Sequence, residues 1–126
     1  MIKSSINENV VAIDCAAPFF FFGLELPSGR TYDKSVAEFI VEAVEAEDVP
    51  IINARDNRTV GACIGANILE SGVAGRMILL PEFKDLEPKW NMMNAQFSAG
   101  LKTKGSLEGT ITAESIDSLW CIIVYI

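Results

Sequence analysis

Residues 33–68 read DKSVAEFIVEAVEAEDVPIINARDNRTVGACIGANI, one helix followed by one long strand. Val36, Phe39, Ile40, Ala43 and Val44 recur at i, i+3, i+4, i+7 and i+8, the spacing of a single buried stripe. Glu38, Glu42 and Glu45 fall on the opposite side and read as a solvated face rather than as a metal or catalytic cluster. Ser35-x-x-Glu38 has the form of a capping box with Asp33 just upstream, and Asp48-Val49-Pro50 stops the helix, which is placed at about 34–47. Ile51-Ile52 opens a strand, and Arg55-Asp56-Asn57-Arg58 is a polar loop. From Thr59 to Ile68 the period becomes two. Val60, Ala62, Ile64, Ala66 and Ile68 alternate with Gly61, Cys63, Gly65 and Asn67, a half-buried strand whose small residues let another layer approach closely. Glu70-Ser71-Gly72 then turns the chain into Val73–Leu80, completing a β-hairpin.

Outward from this centre, the pattern stays strand-rich. Val10–Ile13 and Phe19–Leu26 read as strands, and the run Phe19-Phe20-Phe21-Phe22 is continuously apolar. Such a run predicts a core strand covered on both faces, or one whose rings are shared between core and partner. On the other side, Glu82–Leu86 reads as a helical turn broken by Pro88, and Gln96–Lys102, Leu107–Ile111 and Leu119–Ile126 as strands. The last of these is apolar to its end, so it is expected to lie centrally or under a neighbour, because exposed it would template aggregation. The sum is an α+β fold: a mostly antiparallel β-sheet or small β-barrel with one main amphipathic helix. It forms a single domain over 1–126 with an extended polar arm at 1–9.

Composition narrows the function. Ten Lys and Arg stand against 17 Asp and Glu, a net charge of -7, which argues against nucleic acid and anionic membrane as partners. The chain has no histidine, which excludes Ser-His and Cys-His nucleophile pairs and His-ligated metal sites. Half of it is hydrophobic and the mean hydropathy is +0.30, more apolar surface than a small sphere hides. Burial in a homo-oligomer or multivalent assembly is therefore expected. The longest apolar run, Cys15–Leu24, is too short for the ~18–20 residues of a membrane span, and only Lys3 precedes it, so no signal peptide is expected. Cys15, Cys63 and Cys121 are widely spaced and read as reduced buried thiols.

Candidates for chemistry are few. Ser98 and Lys102 share a strand face but lie roughly 13 Å apart, too far for a dyad. Gly61-x-x-x-Gly65 sits on a strand with no following Lys-Ser/Thr, so it is no phosphate loop. No catalytic residue, cofactor or metal site is expected.

The order of features resembles the prohead (head maturation) proteases of tailed bacteriophages, a herpesvirus-protease-like fold. Gly29-Arg30-Thr31-Tyr32-Asp33 is similar to that family's N-R-x-Y-P turn before an acidic helix. Asn53 through Gly61 (NARDNRTVG) is similar to its N-H-D-x-x-x-x-V-G segment, and Ser98-Ala99-Gly100-Leu101 to its nucleophile strand S-x-G-[FL]. Where the family has its catalytic histidine this chain has Ala54, so Ser98 lacks its base and stays an ordinary alcohol. Val60–Pro81 (VGACIGANILESGVAGRMILLP) is also similar to the paired strands of lambda-like head decoration proteins. These likenesses concern different folds but the same particle. They imply a non-enzymatic structural protein of a bacteriophage virion, a capsid decoration or cement protein whose partner is the major capsid protein or another virion protein. The expected partner contacts are Phe19, Phe20, Phe21, Phe22, Trp120, Ile122, Val124 and Ile126. The alternatives are a protease-like enzyme using Ser98 with a non-histidine base, and an oligomeric binding or adaptor domain.

Overall fold

A computed structural model describes residues 11–12, 17–23, 29–91, 97–104 and 109–126. The arm expected at 1–9, Cys15, and the ends of several expected strands lie outside these residues. The elements run β1 (Val11–Ala12), β2 (Ala17–Phe21), β3 (Thr31–Tyr32), α1 (Lys34–Ala46), β4 (Val49–Asn53), β5 (Arg58–Ile68) and β6 (Gly72–Leu79). After a 3-10 turn at Pro81–Leu86 come α2 (Glu87–Asn91), β7 (Phe97–Thr103), β8 (Thr110–Ile111), a short 3-10 turn at Ala113–Ser115, and β9 (Ile116–Val124).

Seven strands join in one sheet in the order β1-β6-β5-β4-β9-β7, with β2 also pairing along β6. All its pairs are antiparallel except β4 with β9. The sheet curls until β2 at one end approaches β7 at the other, a half-barrel wrapped around α1. The small parallel pair of β3 and β8 stands apart from it. The α+β architecture with one main helix is as the sequence indicates.

The core lies between α1 and the inner face of the sheet. Val36, Ala37, Ile40 and Val44 of α1 are buried, while Phe39 and Ala43 are only half-buried, so the stripe is turned slightly from the expected one. Opposite them stand Val49, Ile51, Met77, Leu79 and Ile122. The helix is capped by Asp33, whose Oδ2 accepts from the Ser35 N–H at 3.0 Å. Ser35 is therefore not the cap. Its Oγ instead accepts from the Ala113 N–H at 3.0 Å, tying the helix start to the approach to β9.

The expected alternation of β5 breaks at two bulges. Relative to β4 the register slips between Ile51 and Ile52, and relative to β6 it slips between Cys63 and Gly65. A bulge reverses the facing of the residues beyond it. Val60 and Cys63 consequently both belong to the core although the alternating pattern put them on opposite faces. The small residues do admit another layer: Trp90 of α2, 2% exposed, closes over Gly61, where a Cβ would stand 2.9 Å from the indole ring. Pro88 does not break a helix there. It falls in the first turn of α2, where a missing N–H is tolerated.

Candidate functional site

The eight expected contact residues separate into two groups. Phe19, Phe20, Ile122, Val124 and Ile126 are buried in the core. Phe21 is 50% exposed, Trp120 59%, and Phe22 is half-buried. A register shift between Pro18 and Phe20 against β6 turns both Phe19 and Phe20 inward. Phe20 meets Tyr32 edge-on at 5.0 Å. For β9 plain alternation decides: Ile122 and Val124 face the core, so Ile123 and Tyr125 face out.

The exposed apolar surface thus has two parts. One is the tip of the β5–β6 hairpin, where Ile68 and Leu69 lie close to Phe21, which is paired with Gly72. The other surrounds the last strand, where Trp120 and Ile123 of β9 and Tyr125 just after it are exposed. Two cations rest on this second surface. The Lys102 ammonium stands 5.2 Å from the Trp120 ring centre, and the Arg55 guanidinium 5.3 Å from that of Tyr125. In a chain of net charge -7, each of these two exposed rings is thus paired with a cation.

Beside Trp120 the sheet opens. Strand β9 pairs with β7 along Ile116–Val124, but with β4 only from Ile122 to Val124. Two register shifts against β7, between Gly100 and Leu101 and between Lys102 and Thr103, leave Trp120 and Asp117 as the unpaired residues of β9. Both line an open cleft of about 530 Å³ between β9 and the flank of α1, together with Phe39, Ala43, Glu47 and Leu119.

Chemistry-bearing groups are dispersed. Ser98 lies exposed on β7 opposite Ile123, while Lys102 is committed to the Trp120 ring. The Cys63 thiol is buried, donates to the Gly65 carbonyl at 3.3 Å, and is pushed up to about 11, chiefly by burial and also by the nearby Asp48 carboxylate. Burial also raises the Cys121 thiol. Both cysteines are free, and both favour the unreactive protonated form. No group of three or more His, Cys, Asp or Glu suited to a metal occurs among the described residues. No helix among them is long and apolar enough to cross a membrane. Within the apolar terminus 122–126 it is Ile123 and Tyr125 that are exposed, as alternation with the buried Ile122 and Val124 requires. The sequence had no signal for the cleft, which depends on where β4 stops pairing.

No protein-family model, curated protein or solved structure matches this chain.

Proposed function

We propose that this chain is a non-enzymatic structural protein that works by docking, and that its setting is a bacteriophage virion, where it decorates or cements the shell. The observation that carries the docking role is the exposure of Trp120 and Ile123 of β9 and of Tyr125 just beyond it, with Lys102 over the Trp120 ring and Arg55 over that of Tyr125. Rigid aromatics on a strand cost little side-chain entropy to immobilise, and tryptophan, tyrosine and arginine dominate the energetics of protein interfaces. The separate patch of Phe21, Ile68 and Leu69 gives each copy a second contact, which bridging two neighbours requires. Many copies on a lattice then hold by multivalency even when each contact is weak. The phage setting rests on the likeness of residues 29–33, 53–61, 60–81 and 98–101 to head proteins of tailed phages. The absent histidine at Ala54 favours the structural role over the protease one.

Quantitative mass spectrometry of purified virions of the encoding phage tests this. A copy number in small-integer ratio to the major shell protein is expected, falling when Trp120→Glu and Tyr125→Glu are combined. Absence from the particle overturns the virion role. Full occupancy by the double variant overturns the β9 face as its contact.

A further inference from the structure

We infer that the cleft between α1 and β9 is a strand-addition site for an extended segment of another protein, one that carries basic side chains beside small apolar ones. This inference does not depend on the virion setting.

The first ground is backbone. On the β4 side, Asp117–Trp120 have no strand partner among the described residues, because β4–β9 pairing begins at Ile51 with Ile122. Strand β4 cannot extend the ladder backward, since its second residue is Pro50, which has no N–H to give. An edge left in this state is a template for another strand.

The second ground is what the edge carries. Edges that proteins merely protect are blunted with charge, proline or bulges that turn the strand away. Here the two bulges of β9 present Trp120, 59% exposed, and Asp117 to the same cleft. An exposed indole is not a protective device. Bulges of this kind re-aim side chains at binding sites.

The third ground is the opposite wall. Phe39 and Ala43 of α1 supply an apolar floor, with Leu119 across from them and Glu47 at the helix end. Glu47 and Asp117 are both exposed and both line this open cleft of about 530 Å³. Main-chain bonds to β9 would give affinity, the apolar floor would take alternate side chains, and the two carboxylates select basic residues between them.

The test uses the full chain labelled for backbone amide NMR and a pool of acetylated heptapeptides alternating Lys or Arg with Val, Ile or Thr. At millimolar peptide, shifts are expected at the amides of Asp117–Cys121. Peptides of the same pattern with Glu in place of the cations, and peptides N-methylated at alternate residues, should each bind about tenfold or more weakly. The surface variants Asp117→Lys and Glu47→Lys should do the same while leaving the remaining spectrum intact. No shift with the basic pool overturns the inference. So does equal binding of the N-methylated peptides, which would make the cleft a side-chain pocket only. Concentration-dependent shifts of these amides without peptide assign the cleft to a second copy and overturn it as well.

Discussion

Asn53 clamps Ile126 by both ends of its side-chain amide: Nδ2 donates to the main-chain oxygen of Ile126 at 3.3 Å, and Oδ1 accepts from the Ile126 N–H at 3.4 Å. Oδ1 also accepts from the Arg55 N–H at 3.1 Å. Asn53 is 3% exposed and sits at the end of β4, so one buried amide fixes the turn into β5 and the last residue after β9. Asn53→Leu leaves those main-chain groups without partners in the core. A loss of about 2–4 kcal/mol is expected by urea unfolding, against less than about 1 kcal/mol for the exposed neighbour Ala54→Ser. Equal effects of the two changes would show that the clamp contributes nothing.

Gly61 is the floor beneath Trp90. A Cβ there meets the Ile78 main-chain oxygen more closely than it meets the indole ring, so the tighter obstacle is backbone. Gly61→Ala should therefore destabilise by about 1–3 kcal/mol. Trimming the ring with Trp90→Leu should not restore the loss in the double variant, because the carbonyl remains. Rescue by Trp90→Leu would mean that the ring, not the β5–β6 backbone, sets the limit.

The range of the interactions decides how much of the fold and of the cleft is legible in the sequence. Helix α1 was legible because its stripe and its stop at Asp48-Val49-Pro50 are local, and the β5–β6 hairpin because alternation and turn residues are local too. The bulges were not. Nothing in the four phenylalanines says that Phe19 and Phe20 both turn inward; the register against Val73 and Ala74 of β6 decides it. The same holds for Trp120, whose unpaired state depends on Gly100 and Leu101 facing Cys121 and Leu119. Close packing gives the physical reason at one of these points: a Cβ on Gly100 would stand 2.6 Å from the Cys121 sulfur, so the two strands can approach there only with glycine. The cleft was invisible for a related reason, since it exists because two strands distant in sequence stop pairing at Pro50.

Ser35 offers a test of a long-range tie. Its Oγ satisfies the Ala113 N–H, 78 residues away, while Asp33 caps the helix. Ser35→Ala should lower stability by about 1–2 kcal/mol through the stranded N–H, although alanine is the better helix former. Asp33→Ala should lower it through the lost cap instead. The two are distinguished by pH. Hydrogen bonding by Ser35 holds the Asp33 carboxyl below its usual value, so its contribution is present above the ordinary carboxylate range and fades as pH falls through the lowered value. Acid titration of stability should show this fading in full in wild type, reduced in Ser35→Ala, which keeps only main-chain N–H donors to the carboxylate, and absent in Asp33→Ala.

Cys63 carries the clearest pH signature. Its thiol is raised from 9.0 to about 11, first by burial and also by Asp48, so the folded chain keeps a proton that the unfolded chain releases. The stabilisation from this group is complete below about pH 9 and is lost as pH rises through about 11. Two pH units correspond to about 3 kcal/mol at most. Cys63→Ala removes the titrating group, so between pH 9 and 11 wild type should lose up to that much more stability than the variant does. Other groups that titrate in this window contribute to both chains and cancel in the difference. Parallel stability–pH curves for the two proteins would show that the thiol is not buried in the folded state, and rapid alkylation of Cys63 at pH 8 in native protein would show the same independently.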